Sequence, residues 1–209
     1  MSGTRIKVYS HTAEAIRNDC RLWAKKIAKD FAPDLVVFPA KSGFLFAEPI
    51  AKELNVPLVD VIATRPGNDM KDDIRKRVPW VPQWLLALAL SSKAMYGYNE
   101  ENSERNVSST QKFDTIDWGN VERVLLIDDS VDTGWSILAV KGLLEEVAPA
   151  SEVRIASYCV VDVSEKRVAV DWWRYRNAIV LTATSRYSPE HEQFLEDYKN
   201  WRQGADVCA

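Results

Sequence analysis

Apolar residues recur at helical spacing near the start of the chain. One set is separated by four, three, four and four positions: Ile16, Cys20, Trp23, Ile27 and Phe31. This spacing places the set on one face of a helix and predicts that helix at residues 11–31. Thr12 precedes the first turn and is a suitable N-cap.

Short runs dominated by apolar residues predict strands at 35–38, 56–63, 121–127 and 153–161. Such runs are typical of strands that are buried on both faces. Helices are predicted between them at 44–54 and 137–147. A further strand at 178–181 and a helix at 189–201, which begins after Ser188 as its cap, are predicted near the end. Alternating strands and helices predict an α/β fold, with an open, mainly parallel, twisted sheet and helices on both faces.

The alternation is interrupted between residues 65 and 115, which is too long for an ordinary connection. Residues 78–90 are apolar and predicted to be partly helical, whereas residues 99–110 are polar and predicted to be mobile. We expect one domain over residues 1–209, with a long insertion at 66–112 and a small hood at 162–209. Within the insertion, Trp80, Trp84 and the apolar run 85–90 are expected to form core or a homodimer interface.

Composition narrows the classes of partner. The 27 basic and 30 acidic residues are mixed along the chain and give a formal net charge of −3, which argues against a nucleic-acid partner. The run 85–90 is far too short to cross a bilayer, so no membrane partner is expected. Cys20, Cys159 and Cys208 are odd in number and lack metal-ligand spacing, which predicts neither disulfides nor zinc and favours the cytoplasm.

One segment, VLLIDDSVDTGWSI at 124–137, concentrates residues that can carry chemistry. Its apolar strand runs into Asp128 and Asp129, and a loop of small residues then opens a helix. Ligands in open α/β sheets bind at the carboxyl ends of strands. The loop at 130–136 offers N–H groups and hydroxyls at a helix N-terminus, which suits a phosphate, and Gly134 permits a close backbone approach.

The acid pair restricts the ligand further. Asp128 and Asp129 repel a phosphate unless sugar hydroxyls or a divalent cation lie between them. A ribose phosphate with Mg²⁺ meets both requirements. The alternative is an acidic strand end in which Asp132 and Thr133 act only as helix caps. A phosphatase with Asp128 as nucleophile is weaker, because Ser130 stands where that motif needs a second acid.

These residues resemble the signature of type I phosphoribosyltransferases: an apolar strand, two acids, two residues, then Asp-Thr-Gly-x-Ser/Thr. The resemblance covers roughly residues 34–161 and implies a site for 5-phosphoribosyl-1-diphosphate and Mg²⁺. It implies that Asp128 and Asp129 hold the ribose hydroxyls, directly or through magnesium-bound water, and that Asp132 accepts a proton from the base. The residues implied to cradle the 5-phosphate are Thr133, Gly134, Trp135 and Ser136.

Two upstream segments resemble other parts of that family's site. Residues 38–43 lie between a strand and a helix, like the family's diphosphate-binding loop. The resemblance implies a cis peptide bond between Ala40 and Lys41. It also implies that the diphosphate is bound by Ala40, Lys41, Ser42 and Gly43. Residues 103–107 resemble the mobile loop of competence-factor-type members, with Arg105 on the diphosphate, and Arg65 is implied to lie nearby. Solvated side chains are the alternative for Lys41, Arg65 and Arg105.

The acceptor base is the least defined part of the prediction. In the family a hood recognises the base, and residues 170–175 are aromatic, so Trp172 is a candidate to stack on a base and Asp171 to accept from its ring nitrogens. Core or interface packing is the alternative for this cluster. The resemblance therefore implies Mg-dependent transfer of 5-phosphoribosyl to a purine-like base, with release of diphosphate. A non-catalytic sensor of phosphoribosyl diphosphate is the alternative function.

Overall fold

The structure, a computed structural model, describes residues 7–64, 105–186 and 188–204. Its strands are β1 (Lys7–Ser10), β2 (Leu35–Ala40), β3 (Leu58–Thr64), β4 (Asn106–Ser108), β5 (Arg123–Val131), β6 (Glu152–Val160), β7 (Trp172–Arg176) and β8 (Ala178–Leu181). Its α-helices are α1 (Ala13–Ile27), α2 (Phe44–Leu54), α3 (Gln111–Asp114), α4 (Trp135–Val147) and α5 (His191–Arg202). Predictions for residues 65–104, including Arg65, Trp80 and Trp84, lie outside the described residues.

The main sheet has the strand order β4-β3-β2-β5-β6-β7. All neighbouring strands in it are parallel except β4, which runs antiparallel to β3. β1 and β8 form a separate parallel pair. The predicted fold class, an open and mainly parallel α/β sheet, is confirmed.

Helices cover both faces of the sheet. α1, α2 and α5 contribute to the core cluster on one face, and α4 contributes to the cluster on the other. The predicted apolar face of the first helix is buried: Ile16, Cys20, Trp23 and Ile27. Thr12 caps this helix, since its hydroxyl oxygen accepts from the Ala15 N–H at 3.2 Å. Phe31 is also buried but follows the helix, which ends at Ile27.

β5 is longer than the apolar pattern predicted. The prediction ended this strand before the acid pair, whereas β5 continues to Val131. The extension follows from pairing with β6, which places Asp128 opposite Ser157 and Val131 opposite Val160. The acid pair therefore sits on regular backbone, and the loop begins only at Asp132.

The predicted cap of the last helix is wrong. α5 begins at His191 with Glu190 as its N-cap, two residues beyond Ser188. Ser188 therefore precedes the N-cap position, and its Oγ accepts a hydrogen bond from the Glu190 N–H at 3.2 Å. The Glu190 carboxylate accepts instead from the Ala13 N–H at 2.9 Å, which ties α5 to the start of α1.

Both flanking segments of the predicted domain plan contribute to the main sheet. β4 lies within the predicted insertion and pairs with β3, and it includes Asn106 and Val107 of the predicted mobile loop. β7 lies within the predicted hood and forms the other edge, beside β6. Across the ranges given above, no helix is both long and apolar enough to span a membrane.

Candidate active site

The two predicted binding loops lie at the same edge of the sheet. β2 and β5 are parallel neighbours, with Val37 opposite Leu126, so the loops that follow them emerge side by side. Ser42, in the loop after β2, lies close enough to Asp129 near the end of β5 to lower the pKa of that carboxyl. The sequence-predicted acid pair and diphosphate loop are therefore brought together by the fold.

The loop after β2 has the backbone form that the resemblance implied. The peptide bond between Ala40 and Lys41 is cis. Gly43 is tightly packed, because a Cβ there would stand 3.0 Å from the Pro39 carbonyl oxygen and 3.1 Å from Phe38 Cβ. The N–H groups of residues 41–43 donate to no acceptor in the described part of the chain. They are available to an anion at the start of α2.

The acid pair is partly shielded from solvent and has no cationic partner among the described residues. Asp128 is buried and Asp129 is half-buried, and the Asp128 Oδ1 accepts from the Asp129 N–H at 2.9 Å. Burial raises the pKa of Asp128 well above its ordinary value, and the neighbouring Asp129 charge raises it further. Burial also raises the pKa of Asp129, although hydrogen bonds from Asp128 and Ser42 act in the opposite direction. No described lysine, arginine or histidine forms an ion pair with either carboxylate.

The loop that opens α4 presents unused donors. The first backbone hydrogen bond of the helix runs from the Leu138 N–H to the Gly134 carbonyl at 2.9 Å. The N–H groups of residues 133–137 donate to no described acceptor, as expected at a helix N-terminus. Such a cluster of amides, together with the Thr133 and Ser136 hydroxyls, can hold a phosphate.

Gly134 is needed for a reason that the sequence did not reveal. Its φ is +83°, in the left-handed region that favours glycine. A Cβ at this position would stand 2.8 Å from Val168 Cγ1. The missing side chain therefore makes room for the turn after the 3-10 helix Asp162–Lys166, in addition to allowing the sharp entry into α4.

We expect Gly134→Ala to destabilise the fold by about 2–4 kcal/mol, because it combines left-handed backbone strain with overpacking against Val168. Urea unfolding measures the change. Adding Val168→Ala should recover only the packing part of the loss, because the backbone strain remains. Wild-type stability of Gly134→Ala would contradict this account of the loop.

Two arginines flank residues 132–136, the predicted phosphate loop that opens α4. Arg105, which the resemblance assigned to the diphosphate, lies beside α4, where its Nε donates to the Ser136 Oγ at 3.3 Å. Arg167 was not predicted: its guanidinium lies 4.8 Å from the Trp135 ring centroid, and its Nη1 donates to the Thr133 carbonyl at 3.3 Å. The sequence indicates Arg167 only by its position in the segment that follows β6. The carboxyl ends of β5 and β6 are neighbours, so this segment lies near the loop after β5.

Asp132 lies at the junction between the acid pair and the phosphate loop. Its Oδ1 accepts from the Ser130 hydroxyl at 2.7 Å. Asp132 also lies close enough to influence the buried Cys159 on β6, whose pKa is raised to about 11, chiefly by burial. A carboxylate held in this way at the open end of β5 is placed to accept a proton from a bound ligand.

The structure does not bring the predicted base-binding pair into this arrangement. The Asp171 carboxylate accepts from the Ile155 N–H at 2.8 Å and so fixes the start of β7. Trp172 lies two strands away from β5, opposite Ala156, and packs on Phe31 with ring centroids 6.0 Å apart. Both residues have structural partners, in line with the packing alternative, and base binding by Asp171 and Trp172 stays a prediction.

Comparison with solved structures identifies the fold. A purine phosphoribosyltransferase from Pyrococcus horikoshii Ot3 is 15% identical, with a TM-score of 0.57 over 88% of this chain and 97% of that one. The Helicobacter pylori xanthine-guanine-hypoxanthine phosphoribosyltransferase is 13% identical, with a TM-score of 0.58 over 94% and 99%. A Neisseria gonorrhoeae hypothetical protein with bound ppGpp is 15% identical, with a TM-score of 0.55 over 92% and 98%.

A search of curated proteins finds no match. The family model for the phosphoribosyl transferase domain matches residues 86–190, about half of the chain, and this span includes the acid pair and the phosphate loop. The chain therefore belongs to the phosphoribosyl transferase domain family, and it is a phosphoribosyltransferase of the glycosyltransferase type.

Proposed function

We propose that this protein transfers the 5-phosphoribosyl group from phosphoribosyl diphosphate to a purine-like base, with Mg²⁺, and releases diphosphate. The observation that carries the proposal is the parallel pairing of β2 with β5. It sets a loop with unused amides beside an acid pair without a described cationic partner, next to a second set of unused amides. These are the groups that a sugar with phosphates at both ends requires.

Each end of the substrate has its own set of residues in this proposal. The amides of residues 133–137, with the Thr133 and Ser136 hydroxyls, hold the 5-phosphate, and Arg105 adds positive charge beside Ser136. The amides of residues 41–43 hold the diphosphate. Asp128 and Asp129 lie between the two loops and take the ribose hydroxyls, as acceptors or through the hydration shell of a cation.

The acid pair fits Mg²⁺. Its donors are hard carboxylate oxygens, and burial without a cationic partner has raised the pKa of both groups. Asp128 and Asp129 would hold the ion, directly or through water. When bound, Mg²⁺ neutralises charge on the departing diphosphate.

The remaining chemistry falls to this chain's own residues. Breaking the bond between the anomeric carbon and diphosphate builds positive charge on the ribose and negative charge on the leaving group. The amides of residues 41–43 stabilise the leaving group, and the acid pair stabilises the ribose. Asp132, held by Ser130, accepts the proton from the attacking ring nitrogen.

The base class rests on the similar structures. Two of the solved structures described above are named for purine, xanthine, guanine or hypoxanthine substrates. Within the described residues, the site itself does not distinguish between these bases. A purine-like acceptor is therefore proposed, with hypoxanthine, guanine and xanthine as the first bases to test.

The test is an assay of diphosphate release with phosphoribosyl diphosphate and Mg²⁺ against hypoxanthine, guanine, xanthine, adenine and orotate. We expect release with at least one purine and none without a base. Tight binding of phosphoribosyl diphosphate with no release for any base would instead support a non-catalytic sensor. Release with orotate alone would contradict the purine assignment.

The proposal also includes a cytoplasmic location and a homodimer. Cys20 and Cys159 are buried free thiols, as expected in a reducing compartment. The homodimer prediction rests on the apolar residues of the insertion, Trp80, Trp84 and 85–90. Sedimentation of the full chain measures the oligomeric state.

A further inference from the structure

A second cleft lies beside the loop at 41–43, against the C-terminal helix α5. It encloses about 540 Å³, which falls in the range of roughly 300–1,000 Å³ for small-molecule sites. Residues 128–136 contribute nothing to its lining, and Lys41 is the residue that it shares with the site described above. Four cationic side chains from the loop after β2, α3 and α5 line it: Lys41, Lys112, Lys199 and Arg202.

The positive charge of this cleft is largely uncompensated. Among the residues that the structure describes, no acidic side chain lines it. Arg202 forms an ion pair with the buried Asp60, with 3.3 Å between Nε and Oδ2. Within the ranges that the structure describes, Lys41, Lys112 and Lys199 lie within ion-pair distance of no carboxylate. Cations gathered in one concave surface repel each other, and an anion in the cleft removes that repulsion.

Contacts hold two of the four cations in place, Lys112 and Arg202. The Lys112 ammonium lies 4.8 Å from the Trp201 ring centroid, and the Arg202 guanidinium lies 5.9 Å from that of Tyr198. Tyr198 itself donates to Asp60 Oδ2 at 2.6 Å. A ligand therefore meets side chains whose freedom is already reduced, which lowers the entropy lost on binding.

We propose that this cleft is a second anion site, which binds a phosphorylated small molecule. Lysine ammonium groups, the arginine guanidinium and the side-chain amides of Gln111 and Gln203 are all donors that phosphate oxygens accept from. Free diphosphate and the phosphate chain of a nucleoside polyphosphate present this same chemistry. The cleft adjoins the diphosphate loop through Lys41, but binding in it does not depend on the proposed transfer activity.

The test is calorimetric titration of the full chain with inorganic diphosphate, comparing wild type with K112Q/K199Q. We expect the double variant to lose one binding equivalent that the wild type shows, with that affinity weakened about tenfold or more. K26Q/K29Q is the matched control, because it also removes two exposed lysines but lies on and just after α1, away from the cleft. The control should keep every equivalent.

Retention by K112Q/K199Q of all the diphosphate that the wild type binds would overturn the proposal, as would an equal loss in K26Q/K29Q. Neither result depends on turnover, so failure of the proposed transfer reaction is a separate outcome. Repeating the titration with GDP separates the two ligand sources. Tighter binding of GDP than of diphosphate, lost in K112Q/K199Q, assigns the cleft to a nucleotide, whereas equal or weaker GDP binding, also lost, assigns it to diphosphate.

Discussion

Replacing Asp132 with asparagine is expected to lower turnover by about 10²–10⁴-fold while the affinity for phosphoribosyl diphosphate changes by no more than about twofold. Asparagine keeps the shape of the side chain and can still accept from the Ser130 hydroxyl, which donates to Asp132 at 2.7 Å. It cannot take up a proton from the base. Steady-state kinetics with the best base, together with a direct binding titration, separates the two effects.

Ser130→Ala is the matched control for this result. It removes the hydrogen bond that holds Asp132 and leaves the carboxylate itself, so we expect only about a tenfold loss of turnover. A serine that only orients the carboxylate must matter less than the carboxylate. Turnover of Asp132→Asn within about threefold of wild type would show that proton transfer does not depend on this residue.

Asp60→Ala is expected to destabilise the fold by about 3–5 kcal/mol. Asp60 is fully buried on β3. It accepts from the Thr110 hydroxyl at 2.7 Å and the Tyr198 hydroxyl at 2.6 Å, and it pairs with Arg202 at 3.3 Å. Removing the carboxylate leaves the buried Tyr198 hydroxyl and Arg202 without this acceptor, whereas the Thr110 hydroxyl keeps the Asp60 carbonyl oxygen at 2.8 Å. Urea unfolding followed by circular dichroism measures the change.

Glu152→Ala provides the comparison for the Asp60 variant. Glu152 is also an acid on a strand with an arginine partner, Arg154 at 2.6 Å, but both side chains are substantially exposed. Its loss should change stability by less than about 1 kcal/mol, because solvent screens exposed pairs. If Asp60→Ala is no more destabilising than Glu152→Ala, the buried network does not anchor α5 to β3.

Local features of the sequence predicted the elements well. The bounds of α2 and β8 agree with the predicted ranges 44–54 and 178–181. The buried face and cap of α1 also agree, because helical spacing and capping depend on residues within one turn of each other. The acid pair and the loop before α4 could also be predicted from the sequence, since the signature specifies them within one continuous segment.

Features that depend on a distant strand were missed. The sequence pattern predicted that β5 ends before the acid pair, at residue 127. Only the partner residues on β6 show why the strand continues to Val131. Trp172 had the composition of a base-stacking residue, but pairing of β7 with β6 places it against Phe31. An aromatic residue is equally suited to a ligand or to a core, so its composition cannot choose between them.

The sequence by itself determined the alternation of β2, α2 and β3 and of β5, α4 and β6, the acid pair with the loop that follows it, and, through the family signature, the cis bond after Ala40. Only the tertiary structure decided that Ser42 lies close enough to Asp129 to lower its pKa, that Val168 fills the space beside Gly134, and that Lys41, α3 and α5 line one basic cleft. The physical reason is the separation along the chain of the residues that interact. Periodicity and caps act between near neighbours, whereas contacts such as Tyr198 with Asp60 join residues 138 positions apart, whose proximity depends on the packing of the whole sheet.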